Sequence, residues 1–324
     1  MTLHRRHAVA ALSLGVPFLA SGAARAADKV TILLDWFLNP DHAALVIAKT
    51  RGLFAKRGLE VDLIVPADPS APPKLVAAGK GDYAVSYQPQ LQLFVAGSDR
   101  ASDALPLVRV GALVDRPLNS LVALAGGPIR TLPDLKGRKV GYSVAGFEDA
   151  ILAAMLETAG LTLKDVTLVN VNFALTTALK SKQVDAVIGA FRNFELNDLE
   201  IEKLKGVAFM VETYGVPMYD ELILVARASS LDVARTRNIL AAIREATEWL
   251  RANPDAAWAA FAAYGGKEVA NELNRRAWKD TLPLLAADPA ALDRARYETF
   301  AKFLKGRGLI KRDVPVDSYV REIR

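Results

Sequence analysis

Two stretches of this chain carry the same order of elements, and that repeat restricts the fold more than any other feature of the sequence. In the first, Val30–Leu34 reads as a buried strand, Ala43–Lys56 as an amphipathic helix ended by Gly58, and Leu59–Val65 as a strand closed by Pro66. Pro72–Gly79 reads as a short helix with proline in its first turn and glycine at its end, and Tyr83–Ser86 as a third strand. In the second stretch, Lys139–Tyr142, Val166–Val169 and Ala186–Gly189 read as strands, with helices over Phe147–Thr158 and Ala174–Lys180. Local wording echoes as well. Lys29-Val30 opens one unit and Lys139-Val140 the other, and Gly79–Val85 resembles Ser181–Val187.

Alternating strands and helices demand parallel strands joined by right-handed crossovers. Ligands on such sheets sit beyond the carboxyl ends of the strands. That rule singles out residues 35–42 and 87–90 in the first unit, and 143–146 and 190–195 in the second. Two such units facing each other enclose a cleft. Residues 111–124 and 219–226 are strand-like and suited to pass between the units as a hinge. From Leu231 onward the chain is mostly helical, over Ala234–Ala252, Asp255–Tyr264, Glu268–Lys279 and Leu292–Lys305. Trp249, Trp258, Trp278 and Phe300 fall there at helical spacing and are read as core.

The amino terminus reads as a separate segment. Arg5 and Arg6 precede an apolar run over Ala8–Ala20, and Ala24-Arg25-Ala26 is a small-x-small cleavage site, so residues 1–26 are expected to be a secretory signal peptide. The run is too short to span a bilayer and is interrupted by Pro17. Cleavage removes three arginines and no acid, lowering the formal charge from +5 to +2 and weakening any case for nucleic acid. His42 becomes the only histidine, and there is no cysteine. Disulfides, thiolate metal sites and cysteine nucleophiles are excluded, and a zinc site would need to be almost all carboxylate. No metal and no cofactor are expected. A Ser-His-Asp triad would have to use His42.

The four loops hold the candidate chemistry. Residues 35–42 combine Asp35, Trp36, Asn39, Asp41 and His42, an indole face for stacking on a flat heteroaromatic ring with polar groups for its edge. The plainer reading is a turn in which Asp41 caps the helix at Ala43 and Trp36 lies in the core. Tyr87 could stack and Gln88 could bond a ring nitrogen, or the pair is simply a polar helix start before Pro89. Ser143 to Gly146 join a strand to a helix, where free backbone N–H groups favour an acceptor atom. The loop is neither GxGxxG nor a P-loop, and neither signature occurs elsewhere in the chain. Asn193, Phe194 and Glu195 stand in the equivalent place after the last strand, where Glu195 could accept two hydrogen bonds from an amino group and an adjacent ring N–H. Alternatively, Arg192 and Glu195 form a surface ion pair.

The segments Leu34–His42, Pro66–Ser70, Leu75–Asp82, Leu113–Leu118, Leu135–Tyr142 and Gly189–Glu195 together resemble periplasmic substrate-binding proteins of ABC transporters, of the thiamine-pyrimidine-precursor (NMT1/THI5-like) group. In that group the first segment more often reads Asp-Trp-x-Pro-Asn-Thr-Asn-His. Leu38, Pro40 and Asp41 depart from it, while Asp35, Trp36, Asn39 and His42 remain. The resemblance implies an α/β, two-lobed type II periplasmic-binding-protein fold, each lobe a mainly parallel sheet flanked by helices, with the ligand in the interlobe cleft. It implies lobe I over residues 27–117 and 223–324 and lobe II over 118–222. It further implies a formylamino- or hydroxymethyl-pyrimidine as ligand. On that basis Trp36 and Tyr87 are assigned to stacking, Asn39 and His42 to the first-lobe rim, Ser143 and Gly146 to a backbone nest, and Glu195 to the amino edge. A periplasmic monomer that partners an ABC permease and ATPase, with no nucleic acid, completes the expectation.

Two alternatives stand beside it. The first is another solute (an alkyl sulfonate, nitrate or riboflavin), for which a strongly donating cleft would be needed. The second is an enzyme that uses Asp35, His42 and Glu195 as acid and base groups. Eukaryotic pyrimidine synthases of the same fold hold pyridoxal phosphate on a lysine and sacrifice a histidine. The matching positions here are Ser86 and Gln90, so no Schiff base can form there.

Overall fold

The computed structural model describes residues 27–97 and 101–323, and the expected signal peptide lies outside the described residues. Ten strands follow in chain order: β1 (Asp28–Leu33), β2 (Leu59–Ile64), β3 (Tyr83–Ser86), β4 (Leu107–Val114), β5 (Asn119–Leu124), β6 (Lys139–Tyr142), β7 (Thr167–Asn170), β8 (Ala186–Phe191), β9 (Gly206–Met210) and β10 (Leu222–Arg227). They form two five-stranded sheets of the same plan, ordered β2-β1-β3-β10-β4 and β7-β6-β8-β5-β9. In each, three strands from one β-α-β-α-β unit pair in parallel. A single antiparallel strand, β10 or β5, lies between that unit and the last strand. The sheets are therefore mixed. β3 and β4 are buried along their whole length, as expected for strands covered by helices on both faces.

The chain passes between the sheets twice. It leaves β4 and enters β5 through Asp115–Leu118, where Pro117 cannot continue a strand ladder, so residues 111–124 form two strands and not one. It returns from β9 to β10 through residues 211–221. The two passages are tied together. Leu118 N–H and Asn119 N–H donate to Glu221 Oε2 at 2.6 and 2.9 Å, and Tyr219 O–H donates to the same oxygen at 3.0 Å. Burial pushes the Glu221 carboxyl up to about 7. Arg296, from the helix Arg294–Gly306, donates to the Asp115 carbonyl at 2.5 Å and also to Asp220 Oδ1, so one guanidinium grips both passages.

Helices after β10 pack mainly on the first sheet. The helix Val233–Ala252 lies on Ala43–Thr50, and Glu272–Thr281 reaches across to the helix Glu195–Ile201 of the second lobe. Trp278 and Phe300 are buried core residues, while Trp249 and Trp258 are half-buried against the same core. The first helix ends at Thr50, short of the expected Lys56: Gly52 takes a left-handed φ of 67° and a separate turn follows over Ala55–Arg57. Among the described residues no helix is long and apolar enough to cross a membrane.

Candidate functional site

Loops from the carboxyl ends of β1, β3, β6, β7 and β8 converge on one narrow cavity, of about 20 Å³, between the lobes. Asp35, Trp36, Asn39, Asp41 and Tyr87 line it from the first lobe, and Glu148, Leu175, Gly189, Phe191, Phe194 and Glu195 from the second. Four of these residues are acids, four are aromatic, and none is lysine or arginine.

On the first-lobe side the turn after β1 is held by its own side chains. Asn39, not Asp41, caps the short helical turn Pro40–His42, its Oδ1 accepting Asp41 N–H at 2.8 Å. The Asn39 N–H donates to His42 Nδ1 at 3.3 Å, so the neutral imidazole carries its proton on Nε2 and donates it to Asp35 Oδ1 at 2.8 Å. Tyr87 O–H donates to Asp35 Oδ2 at 2.8 Å. Both carboxylate oxygens of Asp35 are therefore engaged. Burial pushes the Tyr87 phenol well above its usual value, and the adjacent Asp35 charge adds to this, so Tyr87 keeps its proton. The Tyr87 ring stacks on Phe147 of the second lobe, with centroids 4.8 Å apart. Trp36 meets Phe173 of the second lobe edge-on at 4.7 Å.

On the second-lobe side the backbone nest is filled by the chain itself. Ser143 N–H donates to Glu148 Oε2 at 2.6 Å, and Val144 N–H also donates to that carboxyl. Burial nevertheless pushes Glu148 up to about 8. Glu195 accepts Phe191 N–H at 2.6 Å and is likewise raised to about 8 by burial. Arg192 does not pair with Glu195. It forms a two-pronged bond to Glu212 at 2.7 and 2.8 Å and caps the Leu118 and Asn119 carbonyls, which turns its charge away from the cavity and toward the crossing strands.

Of the residues expected to contact ligand, Asp35, Trp36, Asn39, Tyr87, Phe194 and Glu195 line the cavity. His42 does not; it stands behind Asp35 and orients it. Gln88 is fully buried and spends its oxygen on Asp220 N–H at 2.9 Å. Ser143 gives its N–H to Glu148 and its hydroxyl to the Asn172 carbonyl, and Gly146 is exposed outside the cavity. Asn193 joins the lobes, donating to Asp41 Oδ1 and to Thr281 Oγ, each at 2.7 Å. Asp41, Glu148, Leu175, Gly189 and Phe191 are cavity residues absent from the expected set. Glu148 gave no signal of its own, because Glu148-Asp149 reads as an ordinary acidic first turn of a helix.

Residues 39–257 match the NMT1/THI5-like family. The chain belongs to that family. Among NMT1/THI5-like relatives, a protein from Haemophilus influenzae named as a thiamine biosynthesis protein is 53% identical over 298 residues, covering 92% of this chain and 93% of that protein. The formylaminopyrimidine-binding protein of Halalkalibacterium halodurans is 36% identical, over 77% and 76% of the two chains. More distantly, a 4-amino-5-hydroxymethyl-2-methylpyrimidine phosphate synthase from Aspergillus parasiticus is 27% identical, over 71% and 69%. In fold, the alkanesulfonate-binding protein of Xanthomonas axonopodis pv. citri superposes with a TM-score of 0.70 at 16% identity, over 90% of this chain and 98% of that one. The architecture is thus the two-lobed type II periplasmic-binding-protein fold. In this NMT1/THI5-like chain the Ser86 hydroxyl donates to Gln90 Oε1 at 2.8 Å inside the first lobe.

Proposed function

We propose that this protein is the exported solute-binding component of an ABC importer and carries a pyrimidine precursor of thiamine, of the formylamino- or hydroxymethyl-aminopyrimidine type. The observation that carries this reading is the make-up of the cavity: aromatic rings and carboxyl groups from both lobes, with no cationic side chain among its lining residues. A sulfonate or nitrate would meet four acids there. Arg192, next in sequence to the cavity residue Phe191, is committed to Glu212. A flat ring rich in N–H donors meets complementary acceptors and apolar faces instead. The named formylaminopyrimidine-binding relative supports the same ligand class.

In this reading lobe I comprises residues 27–117 and 223–324 and lobe II residues 118–222, and the lobes close on the ligand by a hinge at the two passages. The protein binds its solute without converting it. Ser86 and Gln90 offer neither an amine for a Schiff base nor an imidazole. Residues 1–26 direct it to the periplasm, where it acts as a monomer and delivers ligand to a membrane permease driven by an ATPase. Native mass spectrometry of the protein purified from its own periplasm, followed by calorimetric titration with the aminopyrimidine identified, tests the proposal. A co-purifying aminopyrimidine returned unchanged in mass is the expected result. Tight binding of a sulfonate with no heat from any aminopyrimidine rejects it.

A further inference from the structure

Asp41 is the one cavity acid among the described residues with a buried carboxylate oxygen that has no hydrogen-bond partner. It is buried, 2% exposed, and its two oxygens have different fates. Oδ1 accepts Asn193 Nδ2 at 2.7 Å, with Thr281 Oγ at 3.5 Å. Oδ2 is buried with no hydrogen-bond partner, on a residue that lines the cavity. The other acids differ: Asp35 has a donor on each oxygen, and Glu148 and Glu195 accept backbone N–H groups. A buried acceptor left unpaired is costly, and a carboxylate oxygen most of all. The groups facing Asp41 are Asn193 and Thr281, which donate to Oδ1, the Asp35–His42 pair, and Glu195; no lysine or arginine is among them.

We propose that Asp41 reads charge on the ligand, its free Oδ2 taking an ammonium N–H while Oδ1 holds Asn193 of the opposite lobe, so that a pyrimidine with a protonated amine arm is preferred to a neutral one. This rests on the pyrimidine reading of the cavity and departs from it only in the arm, since the formylamino and hydroxymethyl arms are both neutral. An ammonium–carboxylate hydrogen bond is about twice as strong as a neutral one, and here it also supplies the positive charge that the cavity walls lack. The contact to Asn193 makes the same side chain part of the interlobe seam, so occupancy of Oδ2 favours the closed arrangement.

The test is calorimetric titration of the purified full chain with two probes, a 4-aminopyrimidine bearing a 5-aminomethyl arm and its 5-hydroxymethyl counterpart. The native protein is expected to bind the aminomethyl probe about tenfold or more tightly than the hydroxymethyl probe. Asp41→Asn is expected to weaken the aminomethyl probe by that factor and the hydroxymethyl probe by less than about threefold. Asn193→Ala, which removes the seam but keeps the carboxylate, should weaken both equally and preserve the preference. Equal binding of the two probes by the native protein overturns the proposal and leaves the pyrimidine reading standing. Equal weakening of both by Asp41→Asn, or loss of the preference in Asn193→Ala, overturns it too, since Asp41 would then serve the seam alone. Failure of both probes to bind the native protein defeats the pyrimidine reading itself.

Discussion

Gly189 lies directly beneath the carboxyl group of Glu148: a Cβ built on Gly189 would stand 2.2 Å from Glu148 Oε1. Gly189 also has a φ of 93°, a backbone conformation that L side chains rarely adopt. The glycine in β8 is therefore what lets a buried acid occupy the cavity floor. Gly189→Ala is expected to cost about 1–3 kcal/mol of stability through backbone strain and to displace Glu148. Urea unfolding reads the first effect, and titration with an aminopyrimidine reads the second, a loss of at least about tenfold. Unchanged values in both would contradict the geometry.

Glu195 gives a sharper test of the cavity. Its carboxyl lines the cavity while accepting the backbone N–H groups of Phe191 and of Glu195 itself, and burial holds its proton in the ligand-free protein. Donors on a bound ring would draw out the ionised form. Glu195→Gln is expected to weaken an aminopyrimidine by roughly 1.5–3 kcal/mol, the worth of a charged hydrogen bond. The same change should leave an anionic solute unaffected or better bound, so one calorimetric series on one variant separates the two ligand classes.

The buried acids impose a pH dependence on the ligand-free protein. Glu148 and Glu195 are raised to about 8, Glu221 to about 7 and Asp41 to about 6, each chiefly by burial. Between the ordinary carboxyl range and pH 8 the folded state holds protons that the unfolded chain has released, so stability falls as pH rises. Asp134, Asp165 and Glu212 are shifted downward, and their opposite contribution is complete before this window opens. Urea unfolding at pH 5, 6.5 and 8 should show a monotonic loss, and Glu148→Gln should flatten its upper half. A rise in stability across that range would refute the assignment.

Glu221 is expected to matter to the hinge more than to the cavity. Removing it by Glu221→Ala strands the Leu118 and Asn119 N–H groups in a buried passage. At about 1–3 kcal/mol for each unpaired buried donor, a loss of about 2–6 kcal/mol in chemical denaturation is expected. Glu221→Gln, which keeps an acceptor oxygen, should recover at least half of it.

Much of this architecture is legible in the sequence, and for a physical reason. β3 and β6 appear at the bounds expected because short apolar runs preceded by Gly81-Asp82 or Gly137-Arg138 are marked at both ends. β9 went unread: Gly206–Met210 is a half-buried outer strand with weak alternation. The rule that ligands lie beyond strand ends located the cavity and much of its lining, since topology alone sets that position. Which way a side chain turns within such a loop is set by tertiary partners. Gln88 follows the Asp220 backbone into the core, and Arg192 follows Glu212. The nest at Ser143 looked open for the same reason. Its occupant, Glu148, is five residues ahead in sequence and folds back over the turn.

In the first sheet the last strand to be made does not lie at an edge. β10 slots between β3 and β4, and β5 can be flanked only once β8 and β9 exist, so both sheets stay incomplete until residues beyond 205 have emerged. The second sheet can close once β9 has emerged, and the first only after β10. A nascent chain with that plan leaves both sheets open until late, because the strands that close them pair with partners made far earlier.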